Sequence, residues 1–292
     1  GEAMKVLVTG SEGFLGRHVC AALKARGHDV VGLDTVPSKE PGYHIVADIT
    51  KVMPLMKVDA VVHLAALASP NVCTANPELA FNVNVHGTHQ VLRLALESGA
   101  KKFVFSSSGH VYDIPPKYIP TDECHPLRLN NTYTTTKILG EQLCQLFWEN
   151  HGLSYTTLRL FNAYGEGQAP GYFIPDVLVK AKRGRIDFQG SNVTKDWVWV
   201  GDVADAFVRA ITTDFVGAIN IGTGVETSLE TIARSIARAY QVELHAIPSD
   251  NPTRMCADCR RAWHVLGWTP KVDLKDGLDA VIGAVKSQPV SA

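Results

Sequence analysis

The chain has 292 residues, 46% apolar and 20% charged, a balance that supports a large buried core and excludes intrinsic disorder. Lys plus Arg (28) nearly cancels Asp plus Glu (29), and the net charge of -1 excludes the broad basic face of a nucleic-acid binder and argues against a polybasic membrane anchor. No apolar run reaches the roughly 20 residues of a transmembrane helix, and six cysteines are too few for a disulfide scaffold, so a cytoplasmic globular enzyme is expected.

Residues 1–3 ahead of Met4 read as a cloning remnant, and no signal peptide is expected. The first predicted strand is 6–8, ending in Thr9-Gly10. Residues 14–26 have helical spacing, with Leu15, Val19 and Leu23 on one face and a stop at Gly27. Further strands are predicted at 30–33, 43–47, 60–64, 103–105 and 155–161, and long helices at 79–98 and 135–150. Near-continuous apolar strands alternating with helices predict an α/β fold, a doubly wound parallel sheet of Rossmann type covered on both faces. Residues 162–171 are predicted as a loop, 174–182 as a helix and 186–188 as a short strand. Helices are expected at 203–212 and 229–240, with a strand at 218–221 between them and an irregular tail over 248–270. The pattern places a cofactor domain at 1–165, with a return to it around 196–222. A smaller C-terminal substrate lobe would comprise 166–195 and 223–292.

Gly10-Ser11-Glu12-Gly13-Phe14-Leu15-Gly16 follows the first strand and opens a helix. Glycines at that spacing let backbone N–H groups approach a pyrophosphate at the helix N-terminus. Asp34 ends the second strand, where a carboxylate accepts from the adenosine ribose hydroxyls and repels a 2′-phosphate. No Arg or Lys adjoins it, so NAD is favoured over NADP. Asp48-Ile49 and His63-Leu64-Ala65-Ala66 close later strands, at the sheet edge where such folds bind ligands. His63 itself is read as a packed histidine rather than a catalyst.

Tyr133 and Lys137 are spaced i, i+4 at the start of a helix, on one face. A phenol is a weak base at neutral pH, and a neighbouring ammonium stabilises its anion. The pair can then exchange a proton with a sugar or alcohol hydroxyl. Ser106-Ser107-Ser108-Gly109-His110 ends the fifth strand and supplies a hydroxyl to share the substrate oxygen. Cys256 and Cys259 form a C-x-x-C without a second pair, so free thiols are expected and no metal site. Trp197 and Trp199 either stack on a base or pack the lobe.

Together with Asn84-Val85-His86-Gly87-Thr88, Arg159 to Gly165, Asp196 to Ala204, Asn220 to Gly224 and Leu266 to Pro270, these stretches resemble the extended short-chain dehydrogenase/reductases of the sugar-nucleotide epimerase/dehydratase type. The resemblance covers nearly the whole chain. It implies an NAD-dependent sugar-nucleotide 4-epimerase, with Tyr133 the base, Lys137 its tuner and ribose ligand, and Ser108 the hydroxyl partner. It also implies that Gly10, Gly13, Phe14, Leu15 and Gly16 cradle NAD, that Asp34 holds the ribose, and that Asp48 and Ile49 flank the adenine. Leu64, Ala65, Ala66, Asn84 and Ser106 would complete the cofactor cleft. Ser108, His110, Tyr133, Asn162 and Lys195 would face a nucleotide-sugar substrate. A homodimer through the helices at 79–98 and 135–150 is implied, with Leu92, Leu96, Leu143 and Phe147 as contacts.

Three departures bear on function. Lys195 stands where the family often has the arginine that grips a nucleotide diphosphate. The family's second arginine has no counterpart nearer than Arg254. Gly109-His110 replaces the Asp-Glu pair of the dehydratases, which favours an epimerase over the alternatives, a dehydratase or a net dehydrogenase/reductase.

Overall fold

The computed structural model describes residues 2–287; Gly1 and the last five residues of the 223–292 span lie outside the described residues. The elements, in chain order, begin with β1 (Lys5–Thr9), α1 (Phe14–Ala25), β2 (Asp29–Asp34), β3 (Tyr43–Val46), β4 (Ala60–His63), α2 (Pro70–Ala75) and α3 (Pro77–Phe81). A π-helical segment (Asn82–Gly87) runs on into α4 (Thr88–Glu97), followed by β5 (Lys102–Ser108), a 3₁₀ turn (Gly109–Val111), α5 (Thr132–His151) and β6 (Ser154–Leu160). Then come β7 (Asn162–Tyr164), α6 (Phe173–Lys182), β8 (Arg185–Gln189), β9 (Thr194–Trp199), α7 (Val200–Ala210) and β10 (Gly217–Ile221). The last are β11 (Glu226–Ser228), α8 (Leu229–Tyr240), β12 (Glu243–Ile247), α9 (Arg260–Leu266) and α10 (Leu274–Ser287).

Seven parallel strands form one sheet in the order β10-β6-β5-β4-β1-β2-β3. The doubly wound parallel sheet expected from the sequence is therefore present. The strand order reverses between β1 and β4, and in such sheets the crevice at the carboxyl ends of those strands is the ligand site. Successive side chains on a strand point to opposite faces. Thus Val6 and Val8 join a core with Val19, Leu23, Val203, Phe207 and Trp268, while Leu7 joins another with Val91, Leu92, Phe103, Phe105 and Phe147. Each such side chain, wholly buried, contributes roughly 1.5–3 kcal/mol.

The return of the chain to the sheet is β10, paired in register with β6. A third apolar cluster, with Ile174, Leu178, Trp197, Ile232, Ile236 and Leu278, is built by α6, α8 and α10 around β9. Two small sheets accompany it, β11-β9-β7 and β12-β8. Here the structure differs from the sequence reading. Asn162–Tyr164, expected as loop, is a strand because it finds β9 as a parallel partner. The tail holds α9, closed by Gly267 in the left-handed conformation, where irregular chain was expected. Leu92 and Phe147, expected as outward contacts, lie in the core because α4 and α5 turn their apolar stripes onto the sheet; Leu96 and Leu143 are half-buried. Among the described residues no helix is long and apolar enough to cross a membrane.

Candidate active site

A cleft of about 900 Å³ opens at the carboxyl ends of the strands. Its floor begins with the turn after β1. Gly10 has φ +70, and a Cβ at Gly16 would lie 2.0 Å from the Gly10 carbonyl oxygen. Only glycines allow this turn to tuck against the start of α1, leaving backbone N–H groups toward the cleft. Asp34 is held at the end of β2 by donation from the Glu12 amide (3.0 Å) and the Thr35 amide (2.7 Å). Asp48 accepts from the amide and hydroxyl of Thr50, both 2.8 Å, which hold its carboxyl below the usual carboxylate range. Gly13, Phe14, Leu15, Ile49, Leu64, Ala65 and Ala66 complete this half of the wall.

The opposite half is set by α5. Asn131 and Thr134 form a reciprocal capping box, with Asn131 Oδ1 accepting from the Thr134 amide (3.0 Å) and Thr134 Oγ1 from the Asn131 amide (3.1 Å). It starts the helix three residues earlier than the periodicity predicts and puts Tyr133 in its first turn. Gly140 brings α5 onto β5, since a Cβ there would lie 2.4 Å from the Phe105 ring. Tyr133 and Lys137, both buried, consequently lie against Ser106 and Ser108 at the end of β5, on the same wall of the cleft. Lys137 Nζ donates to the Ser106 carbonyl at 2.8 Å and lies 5.8 Å from the Tyr133 ring centroid. Burial pulls the Lys137 ammonium down to about 8. Burial also pushes the Tyr133 phenol above its ordinary value, with the Ser108 hydroxyl opposing. The expected lowering of Tyr133 by Lys137 is therefore not the dominant influence in this chain, because burial of the phenol outweighs it.

His110, Asn162 and Lys195 also line the cleft. Burial and the Lys195 charge hold His110 near 4, so its imidazole is neutral. Asn162 donates to the Asp196 carbonyl at 3.2 Å, beside Lys195. Asp196, wholly buried, accepts from the Thr223, Gly224 and Ala257 amides at 2.7, 2.8 and 3.0 Å, fixing the strand that carries Lys195. Lys195 has no ion-pair partner among the described residues. Arg254 is committed elsewhere: its guanidinium grips Glu226 at 2.9 and 2.5 Å, and it does not line the cleft.

Every site residue singled out in the sequence lines the cleft except Asn84. Asn84 is buried behind the wall, where its amide pairs with both backbone groups of Leu67 (2.7 and 3.1 Å) and with Thr136 Oγ1 (3.0 Å). The sequence reading missed the segment 67–71, which leads into α2, and the rim residues Tyr172 and Phe173. Ser69-Pro70, an N-cap followed by proline at N1, was the available signal for the first of these. Trp197 lines the cleft, whereas Trp199 packs on Tyr164 at 5.6 Å. Cys256 and Cys259 are free thiols, the first buried and the second half-buried.

The model of the NAD dependent epimerase/dehydratase family matches residues 6–222. The UDP-glucose 4-epimerase of Mycolicibacterium smegmatis is 34% identical to the chain, over 94% of this chain and 96% of the relative. Among solved structures, the UDP-glucose 4-epimerase of Thermotoga maritima with UDP-glucose superposes with a TM-score of 0.89 at 28% identity, covering 97% of this chain and 99% of that one. MoeE5 in complex with UDP-glucuronic acid and NAD superposes with a TM-score of 0.88 at 26% identity, over 97% and 99% of the two chains.

Proposed function

The chain belongs to the NAD-dependent epimerase/dehydratase family, and from that premise we propose that it inverts the 4-hydroxyl of a nucleotide-linked sugar through a transient keto sugar. The observation that carries this reading is the convergence of Ser108, Tyr133 and Lys137 on one cleft wall with no cleft-lining carboxylate beside them; Glu141, one turn after Lys137, is held behind the wall by Ser107 and Arg159. The carboxylates lining the cleft are Glu12, Asp34 and Asp48, all from the glycine turn and the ends of β2 and β3. A larger residue at position 109 would press on the Phe161 ring, which a Cβ there would meet at 3.0 Å. Water elimination by an acid pair thus has no place to stand.

In this reading the glycine turn and Asp34 hold NAD, which when bound supplies a hydride acceptor and a positively charged ring. Tyr133 takes the proton of the sugar hydroxyl and returns it on the other face of the sugar. Ser108 holds the same oxygen, and Lys137 stabilises the phenolate and orients the neighbouring ribose. Lys195 and Asn162 contact the diphosphate, with Lys195 acting as a point charge in place of a planar fork. Residues 1–165 and the return around 196–222 serve the cofactor, apart from β9, which belongs to the small sheet; 166–195 and 223–287 serve the nucleotide sugar, apart from α9 and Trp268, which pack on the first core. Product analysis on a panel of nucleotide sugars with added NAD tests the proposal: an isomer supports it, whereas stoichiometric NADH overturns it. A dehydrated keto sugar would favour a second reading, in which the neutral His110 beside Ser108 moves the proton of elimination.

Two further outcomes are expected. NAD should bind more tightly than NADP because Asp34 meets a 2′-phosphate with like charge, and Asp34→Ala should narrow that gap. Equal dissociation constants for the two cofactors in the unaltered protein would remove the role given to Asp34. The reading includes a homodimer across α3 to α5, where Leu79, Phe81, Leu146 and Trp148 are exposed apolar residues. Sedimentation as a monomer at micromolar concentration would count against that part.

A further inference from the structure

A buried run of polar side chains links the two halves of the cleft and is not used by the proton transfer described above. The turn after β1 and the residues after β4 meet so closely that a Cβ on Gly10 would fall 2.8 Å from the Ala65 amide nitrogen. His63 adjoins this junction, 2% exposed, with its ring 5.8 and 5.9 Å from those of Phe103 and Phe105. Its Nδ1 lies 2.6 Å from Thr9 Oγ1 and its Nε2 2.9 Å from Thr88 Oγ1.

Donor accounting sets the direction of these bonds. The Thr88 hydroxyl donates to the Asn84 carbonyl at 2.6 Å, and a carbonyl only accepts. The one proton of Thr88 is thereby committed, so its oxygen receives Nε2–H. Burial, with the Lys137 charge nearby, holds the ring neutral, with its pKa pulled down to about 3. Nδ1 is then bare and accepts the Thr9 hydroxyl, whose oxygen in turn accepts the Ala65 N–H at 3.3 Å. The run ends on Asn84, inside the π-helical segment, a local irregularity frequent at functional sites. From there the Asn84 amide reaches Thr136, whose hydroxyl donates to the Tyr133 carbonyl at 2.8 Å.

The geometry points to His63 as a positioning residue, a neutral imidazole protonated on Nε2 whose two hydrogen bonds tie the end of β1 beside the cofactor turn to Thr88 on α4, and through Asn84 and Thr136 to the helix presenting Tyr133 and Lys137. Its effect on turnover rests on the catalytic reading of that pair; its tautomer and its effect on NAD affinity do not.

Nitrogen NMR of imidazole-labelled protein should show one protonated and one bare ring nitrogen for His63, assigned Nε2 and Nδ1, unchanged from pH 8 to pH 5. His63→Leu removes both bonds and leaves buried partners unpaired, so NAD binding should weaken about tenfold or more and turnover should fall with it. His63→Gln keeps an N–H toward Thr88 and should recover part of both losses. Thr88→Val added to His63→Leu should cost less than Thr88→Val alone, because the bond to His63 is already gone and only the Thr88 donation to the Asn84 carbonyl remains to be lost. A proton on Nδ1, or a His63→Leu protein that is less stable yet keeps normal NAD affinity, overturns the inference. If His63→Leu does not fold, the tautomer and the NAD affinity of Thr88→Val decide it. Absence of turnover on every nucleotide sugar would instead strike the proposed function, leaving the tautomer and affinity tests standing.

Discussion

Replacing Tyr133 by Phe is expected to lower turnover by about 100-fold or more, the range of a lost general acid–base group. The substitution removes one oxygen from a buried ring and leaves the capping box at Asn131 and Thr134 intact. NAD affinity should hardly move, since Lys137 and the glycine turn remain. Ser108→Ala should slow turnover by less, because water can replace a hydroxyl that orients the substrate but not the group that accepts its proton. The order of the two effects carries information. Burial raises the Tyr133 phenol and the Ser108 hydroxyl opposes that rise, so Ser108→Ala should leave the phenol harder still to ionise. Near-normal turnover in correctly folded Tyr133→Phe would transfer the base to another group, with His110 the first to test.

The first 160 residues were legible because their elements are buried by a local rule. The inner strands β1, β4 and β5 are buried on both faces, and the helices between them carry their buried residues at three- and four-residue spacing, as Val19 and Leu23 do on α1. Asp34 and the Gly10–Gly16 turn were legible as a pair, since the acid and the glycines must end adjacent strands for either to matter. The outer elements were less legible. β7 and β11 have three residues each, and both exist only through pairing with β9, distant in sequence. No periodicity in three residues could announce β7 or β11. The start of α5 was misplaced although its signal was present, because Asn131 with Thr134 is a cap written in polar residues rather than in apolar spacing. Asn84 was recognised as a member of the site, but the π-helical segment turns it behind the wall, and that turn is a matter of backbone geometry. The direction of the Tyr133 shift was not legible at all. Spacing brings an ammonium near a phenol, whereas the balance between that charge and desolvation depends on how deeply both are buried.

Lys137 should show a dependence on pH that separates its two roles. Its ammonium is buried against Phe105 and Tyr133, with one donated bond to the Ser106 carbonyl. Burial brings its pKa to about 8, against roughly 10.4 for a lysine in an unfolded chain. Between those values the unfolded chain holds a proton that the folded chain has released, so stability rises with pH across that window. The penalty for burying the charge is complete below about pH 8 and is gone above the unfolded value. Over the window it amounts to about 3 kcal/mol. Activity should run the other way, falling as pH rises through about 8 and the charge beside Tyr133 is lost. Lys137→Met removes the titrating group. Turnover should then drop by about 100-fold or more and lose its alkaline limb, and NAD should bind more weakly because the same ammonium serves the ribose. Urea unfolding of both proteins at pH 7 and pH 10.5 measures the stability part. The unaltered protein should gain on Lys137→Met by on the order of 3 kcal/mol between the two pH values. A gap that stays constant would mean that Lys137 keeps its proton in the folded chain, and the alkaline loss of activity would have to be assigned to a different group.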